Sequence, residues 1–223
     1  MLRTKVKICG MTHLADARAA VEAGADMLGF IFYEKSPRRC DPGDARRIIE
    51  TLRAASAARP AGDAAAVDKR PLMVGVFVNE TLETMVKQAR ACGLDAVQLH
   101  GHETNEQAQA LRREGLTVFK AFRIEGPQSL GAFEAYDVDG YLCDTPDPNL
   151  WGGSGRTFDH AALAGASQDR RIILAGGLTA DNVAAAVRLV RPWAVDVASG
   201  VEAMPGRKDP RKVSAFIEAA RQA

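Results

Sequence analysis

The chain lacks most of the signatures that would assign it to a class at once. Its four cysteines, Cys9, Cys40, Cys92 and Cys143, form no Cys-x-x-Cys pair, so neither a zinc knuckle nor a thioredoxin motif is present. No apolar run approaches the roughly 20 residues that cross a bilayer, and the opening MLRTKVKICGMTH has charges but no signal-like apolar core or cleavage site. There is no Walker A loop, no GxGxxG and no GxSxG, which removes the usual support for nucleotide-binding and serine-hydrolase readings. Neither positive nor negative residues are in marked excess. With 29 Lys+Arg against 28 Asp+Glu, the net charge of +1 gives no field to gather nucleic acid or anionic lipid. Any anionic ligand has to be met by a local site, and a reducing cytoplasm without membrane or nucleic-acid partners is expected.

What is present is a repeat of short apolar runs with Ala-rich helical segments between them. The strand candidates are 5–9, 27–32, 72–78, 96–100, 117–122, 140–144, 171–175 and 194–198. They are near-continuous apolar runs, as parallel strands covered on both faces require. The helix candidates are 14–23, 43–57, 82–92, 105–113, 127–135, 159–163, 180–189 and 211–221. Asp41-Pro42 and Asp209-Pro210 supply N-caps before a first-turn proline, Thr104 through Gln107 fits a capping box, and Gly24, Gly93 and Gly115 stand where C′ residues belong. Eight βα pairs in 223 residues, about 28 per unit, predict a single-domain α/β protein over 1–223, a (β/α)8 or TIM barrel. A doubly wound open sheet is the rival, but it would usually carry an early Gly-rich fingerprint. The stretch 58–70, ARPAGDAAAVDKR, has no periodic apolar face and reads as a flexible insertion remote from the site.

In such a barrel the chemistry sits at the C-terminal ends of the strands. Those ends supply Lys7 and Cys9, Arg38 after a Ser-Pro turn, His100, Asp144, Gly176-Gly177, Asp196 and Ser199-Gly200. Cys9 is either an inert buried thiol or a base, and strand alternation sets Lys7 on its side, where an ammonium would favour the thiolate. Lys7 could equally contact a substrate. Asp144 at the end of an apolar strand either caps a loop or serves as a general acid, for which it must hold a proton near neutrality. The glycine pairs let backbone amides approach a phosphate, or they are tight turns. Arg38 could grip a ligand carboxylate or form a surface salt bridge. His100 and His102 lack a third convergent ligand, so no metal is expected, and His100 reads as a polar wall of the pocket. Gly152-Gly153-Ser154-Gly155 suggests a closing loop.

Several of these pieces, in order along nearly the whole chain, resemble one family. They are Lys7-Ile8-Cys9-Gly10-Met11-Thr12, Ala25-Asp26, Gly29-Phe30-Ile31-Phe32, Ser36-Pro37-Arg38, Gly75-Val76-Phe77, Val97-Gln98-Leu99-His100-Gly101, Gly152-Gly153-Ser154-Gly155, Ala175-Gly176-Gly177-Leu178, Asp196 and Ser199-Gly200-Val201-Glu202. Together they resemble the phosphoribosylanthranilate isomerases of tryptophan biosynthesis. The resemblance implies an Amadori rearrangement without metal or organic cofactor, with Cys9 as general base and Asp144 as general acid. It implies further that Arg38 holds the anthranilate carboxylate, that Gly176, Gly177, Ser199 and Gly200 bind the phosphate, and that Asp196 orients the ribose or the phosphate loop. Two alternatives stay open: the related aminoaldose isomerisation of the histidine pathway, usually run by two aspartates, and a barrel that binds phosphorylated ligands without catalysis. A monomer is the default assembly and a homodimer the alternative.

Overall fold

The computed structural model describes residues 3–57, 70–145, 159–163, 165–166 and 170–223. The expected insertion, apart from Arg70, and the expected closing loop at 152–155 lie outside the described residues. Eight strands form the centre: β1 (Lys5–Cys9), β2 (Met27–Ile31), β3 (Leu72–Phe77), β4 (Ala96–Leu99), β5 (Thr117–Arg123), β6 (Gly140–Asp144), β7 (Ile172–Leu174) and β8 (Ala194–Val197). Each pairs in parallel with the next and β8 pairs with β1, so the sheet closes on itself.

Alternation along the strands sorts side chains onto two surfaces. Met27, Val74, Ala96, Phe119, Leu142, Ile173, Ala175 and Ala194 pack together inside the barrel. Their strand neighbours, Ile8, Leu28, Met73, Val97, Val118 and Leu174 among them, form a larger core with helix residues such as Ile49, Met85, Leu111, Val187 and Phe216. Burial on both faces is why these strands read as unbroken apolar runs.

Among the described residues six α-helices surround the sheet: α1 (Leu14–Glu22), α2 (Pro42–Ala57), α3 (Leu82–Cys92), α4 (Asn105–Arg113), α5 (Val183–Val190) and α6 (Pro210–Arg221). The caps act as the sequence suggests. Asp209 accepts from the amides of Arg211 and Lys212, Thr104 and Gln107 form a reciprocal capping box, and Gly93 ends α3 at φ +70°. None of these helices is long and apolar enough to cross a membrane.

The regular eightfold alternation fails in two places. The segments after β5 and β6 are 3-10 turns, Pro127–Ala135 and His160–Leu163, where helices were expected. Over 127–135 only Phe133 is buried, so no apolar stripe exists to hold an α-helix against the barrel. A feature the pattern did not suggest follows β8: a 3-10 turn, Ser199–Val201, leads into a small antiparallel hairpin of β9 (Glu202–Met204) and β10 (Arg207–Lys208). This hairpin carries two residues of the site.

The opposite end of the barrel is tied by a repeated device. Asp26, Asp95 and Asp139, each just before an even-numbered strand, accept hydrogen bonds from the amides of Val6, Met73 and Val118 at 2.9 Å. Their own amides donate to the carbonyls of those same three residues. Strand pairs β1/β2, β3/β4 and β5/β6 are thereby locked in register at the face away from the site.

Candidate active site

On β1 the side chains of Lys7 and Cys9 share a face, with Lys7 in register with Asp196 of β8 and Cys9 with Gly29 of β2. Gly29 has to lack a side chain, because a Cβ there would lie 2.7 Å from the Cys9 sulfur. Lys7 is wholly buried and its Nζ donates to Asp196 Oδ1 at 3.0 Å. Burial works against that ammonium, but Asp196 and Cys9 outweigh it and its pKa is raised. At Cys9 the balance falls the other way. Burial pushes the thiol above its ordinary pKa, and the opposing pull of Lys7 and Lys208 does not overcome it. The expected ammonium is therefore beside the sulfur, yet the thiol, and not the thiolate, is the resting form.

Across the barrel, Asp144 ends β6 and is 8% exposed. Its Oδ1 accepts from the Thr145 amide at 2.8 Å, and its Oδ2 faces His100 Nε2 at 3.6 Å. On its other side, His100 Nδ1 lies 2.8 Å from the Gln98 side-chain amide, which holds the ring in place. Beneath this imidazole, Glu103 accepts from the amides of Asn79 and Gly101 and pairs with the buried Lys120 ammonium, which pins the loop after β4. His102 sits in the same loop with its amide on Asn79 Oδ1. Among the described residues no group of three or more His, Cys, Asp and Glu could hold a metal ion.

The two glycine loops lie together. Gly176, at φ +85°, presses on the end of β6: a Cβ would collide with Thr145 Oγ1 and come within 3.2 Å of Asp144 Oδ1. Gly177 is also left-handed, and its carbonyl accepts from the Asn182 side-chain amide. Gly200, in the turn after β8, is packed against the Leu178 carbonyl. Glycine is thus required at 176 and 200 by close approach, and the same approach brings both loops to one part of the rim.

Arg38 lays its aliphatic stem across Gly10, one residue beyond Cys9. Its guanidinium is not on the surface. Nε and Nη2 make a bidentate pair with Glu202 Oε1 and Oε2, each at 2.9 Å, and Lys208 Nζ donates to the same Oε1 at 2.9 Å. Burial alone would raise the Glu202 carboxyl, but the hydrogen bonds and charges of Arg38 and Lys208 hold it below the usual range. Sequence reasoning did not assign Glu202 or Lys208 a role. The only signal was a carboxylate close behind the last strand.

With this geometry established, comparison with known proteins is decisive. The family model described as N-(5'phosphoribosyl)anthranilate (PRA) isomerase matches residues 6–219. The chain belongs to the phosphoribosylanthranilate isomerase family. The N-(5'-phosphoribosyl)anthranilate isomerase of Geobacter sp. (strain M21) is 48% identical over 219 residues, covering 98% of both chains. Among solved structures, monomers derived from the dimeric enzyme of Thermotoga maritima superpose with a TM-score of 0.82 at 38% identity, over 99% of this chain and 100% of that one. A phosphoribosylanthranilate isomerase in complex with reduced 1-(o-carboxyphenylamino)-1-deoxyribulose 5-phosphate matches at 0.79 and 37%, with the same coverage. In this isomerase the thiol on β1 and the carboxyl on β6 stand three strands apart by the shorter way round an eight-stranded barrel, on opposing walls.

Proposed function

We propose that this isomerase converts N-(5-phosphoribosyl)anthranilate to 1-(2-carboxyphenylamino)-1-deoxyribulose 5-phosphate by acid/base catalysis without a cofactor, in the cytoplasmic route to tryptophan. The observation that carries the reading is the placement of Cys9 and Asp144 at the C-terminal ends of β1 and β6, three strand steps apart on one rim, where a thiol and a carboxyl can divide the base and acid work. Asp144 protonates the furanose ring oxygen, the C1′–O bond breaks, and a protonated Schiff base forms with the aniline nitrogen. Once the Cys9 thiol has released its proton to solvent, the thiolate removes the C2′ proton while the electron pair flows to nitrogen, giving an enolamine. Ketonisation returns that proton from sulfur to C1′ and delivers the 2′-hydroxyl proton to Asp144, and the thiolate regains a proton from solvent, which restores the starting state. The imine itself is the electron sink, so the chemistry asks for no prosthetic group.

A thiol with a raised pKa can act as this base because the iminium charge formed by ring opening favours the thiolate, and Lys7 already offsets part of the burial cost. Asp196 fixes Lys7 and orients the ribose or the phosphate loop. His100 bounds the pocket on the Asp144 side. Gly176 and Gly177 in the loop after β7, and Ser199 and Gly200 in the turn after β8, offer amides to the phosphate, and Arg38 meets the anthranilate carboxylate. The relative solved with a reduced product analogue supports a ligand of this class. A monomer is the assembly proposed, with the dimeric T. maritima relative as precedent for the alternative.

The test is a single-turnover measurement with substrate deuterated at C2′. A slower chemical step than with the protiated substrate is expected. An unchanged step, or turnover only of the histidine-pathway aminoaldose, would overturn the proposal.

A further inference from the structure

The environment of Arg38 holds more positive than negative charge in a buried place. Three ionisable side chains meet there: the Arg38 guanidinium, the Lys208 ammonium and the Glu202 carboxylate, whose side chains are 11%, 1% and 6% exposed. Glu202 can neutralise only one of its two cationic partners. The neighbouring Lys7 and Asp196 already neutralise each other, the buried Asp16 carboxylate is paired with Arg207 at 3.4 Å, and Cys9 rests as a thiol, so none of them supplies the missing negative charge. A buried unpaired charge is costly, and an anion arriving at this point relieves that cost.

The geometry also decides which edge of Arg38 remains for that anion. The pair with Glu202 occupies Nε and Nη2 and leaves Nη1 outside it. The carboxylate is itself held from several sides. Lys208 Nζ donates to its Oε1 and to the Ala198 carbonyl, the Gly206 amide donates to Oε1 at 3.2 Å, and Lys212 Nζ holds the Glu202 carbonyl at 2.9 Å. Lys208 is anchored in turn by its amide on Asp16 Oδ2 of α1. The short hairpin β9/β10 therefore exists, in physical terms, to carry a clamp for one guanidinium. Held at two nitrogens and braced by Gly10 against its stem, Arg38 presents a fixed fork in place of a mobile side chain.

We infer that Glu202 and Lys208 are positioning residues that lock Arg38 for recognition of the substrate's aryl carboxylate, and that the uncompensated positive charge of the triad makes the enzyme selective for an anionic arylamine over a neutral one. This rests on the reading of Arg38 as the carboxylate partner. Glu202 and Lys208 act through Arg38, so their effect is confined to substrates that carry the carboxylate. A merely structural role would weaken all substrates alike.

The experiment compares kcat/KM for phosphoribosylanthranilate and for the N-phenyl phosphoribosylamine without the carboxylate, in wild type, Arg38→Met, Glu202→Gln and Lys208→Met. Urea unfolding checks that each variant is folded. Glu202→Gln raises the net positive charge but releases the Arg38 fork, and because a bidentate contact needs the fixed fork more than the added charge, KM for the carboxylated substrate should still rise by about ten-fold with kcat changed less than about three-fold, while the neutral substrate is barely affected. Lys208→Met keeps the Arg38–Glu202 pair but removes the excess charge, so its preference for the anionic substrate should fall as well, and it carries the test if Glu202→Gln does not fold. If Arg38→Met loses the preference but both other variants keep it, the inference is overturned and Arg38 keeps its role. If Arg38→Met itself keeps the preference, Arg38 does not read the carboxylate and the inference falls with that assignment.

Discussion

At Cys9 two effects of opposite sign compete, and their difference sets the chemistry. Burial raises the thiol pKa and the adjacent Lys7 ammonium lowers it, with burial the larger. A thiolate-absorbance titration, taken as wild type minus Cys9→Ala, should therefore give a midpoint above the roughly 8.5 of a free thiol. Lys7→Met should move it higher still, because the opposing ammonium is gone. A midpoint below that of a free thiol, or one unmoved by Lys7→Met, would contradict this account of the sulfur. The sequence placed Cys9 and Asp144 at strand ends on the rim, where the structure has them; for Cys9 the residue type alone leaves a buried thiol equally open, since cysteine packs well in a core. The clamp on Arg38 was not legible. Residues 38, 202 and 208 come together only through the β9/β10 hairpin, and a carboxylate with two cationic partners has no spacing signature along the chain.

Among the elements, the strands were readable because two-sided burial leaves its mark on every residue, and the capped helices because the caps are local hydrogen bonds. The segments after β5 and β6 are helical where helices were read, but they wind as 3-10 and not α. An Ala- and Leu-containing run such as PQSLGAFEA has adequate composition without an apolar stripe. The aspartates before β2, β4 and β6 were also missed, since their function is to bond the preceding strand. Asp95→Ala would leave the Met73 amide without its acceptor and remove the partner of Arg53, at a cost of about 1–3 kcal/mol. The measurement is urea unfolding alongside steady-state kinetics. The folding midpoint should drop while kcat stays near wild type, because these clamps lie at the end of the barrel away from Cys9 and Asp144. Loss of kcat without loss of stability would mean that the two ends are coupled more tightly than the register locks imply.

For the whole molecule, closure of the sheet is what makes a two-sided site possible. An open sheet would set its strand ends in a row, whereas a closed one turns β1 and β6 to face each other across a space lined by residues of other strands. The charged groups around that space differ along the rim: a Lys7–Asp196 pair beside the thiol, an imidazole beside the carboxyl, and Arg38 with Glu202 and Lys208. The most direct test of this arrangement is the turnover of phosphoribosylanthranilate by wild type, Cys9→Ala and Asp144→Asn, with folding checked for each. Both substitutions should lower kcat by about 10²–10⁴-fold, as expected for loss of a general base or acid, with KM little changed. Near-normal kcat in either folded variant would remove that residue from the mechanism and with it the claim that opposed walls of the barrel divide the acid and base work.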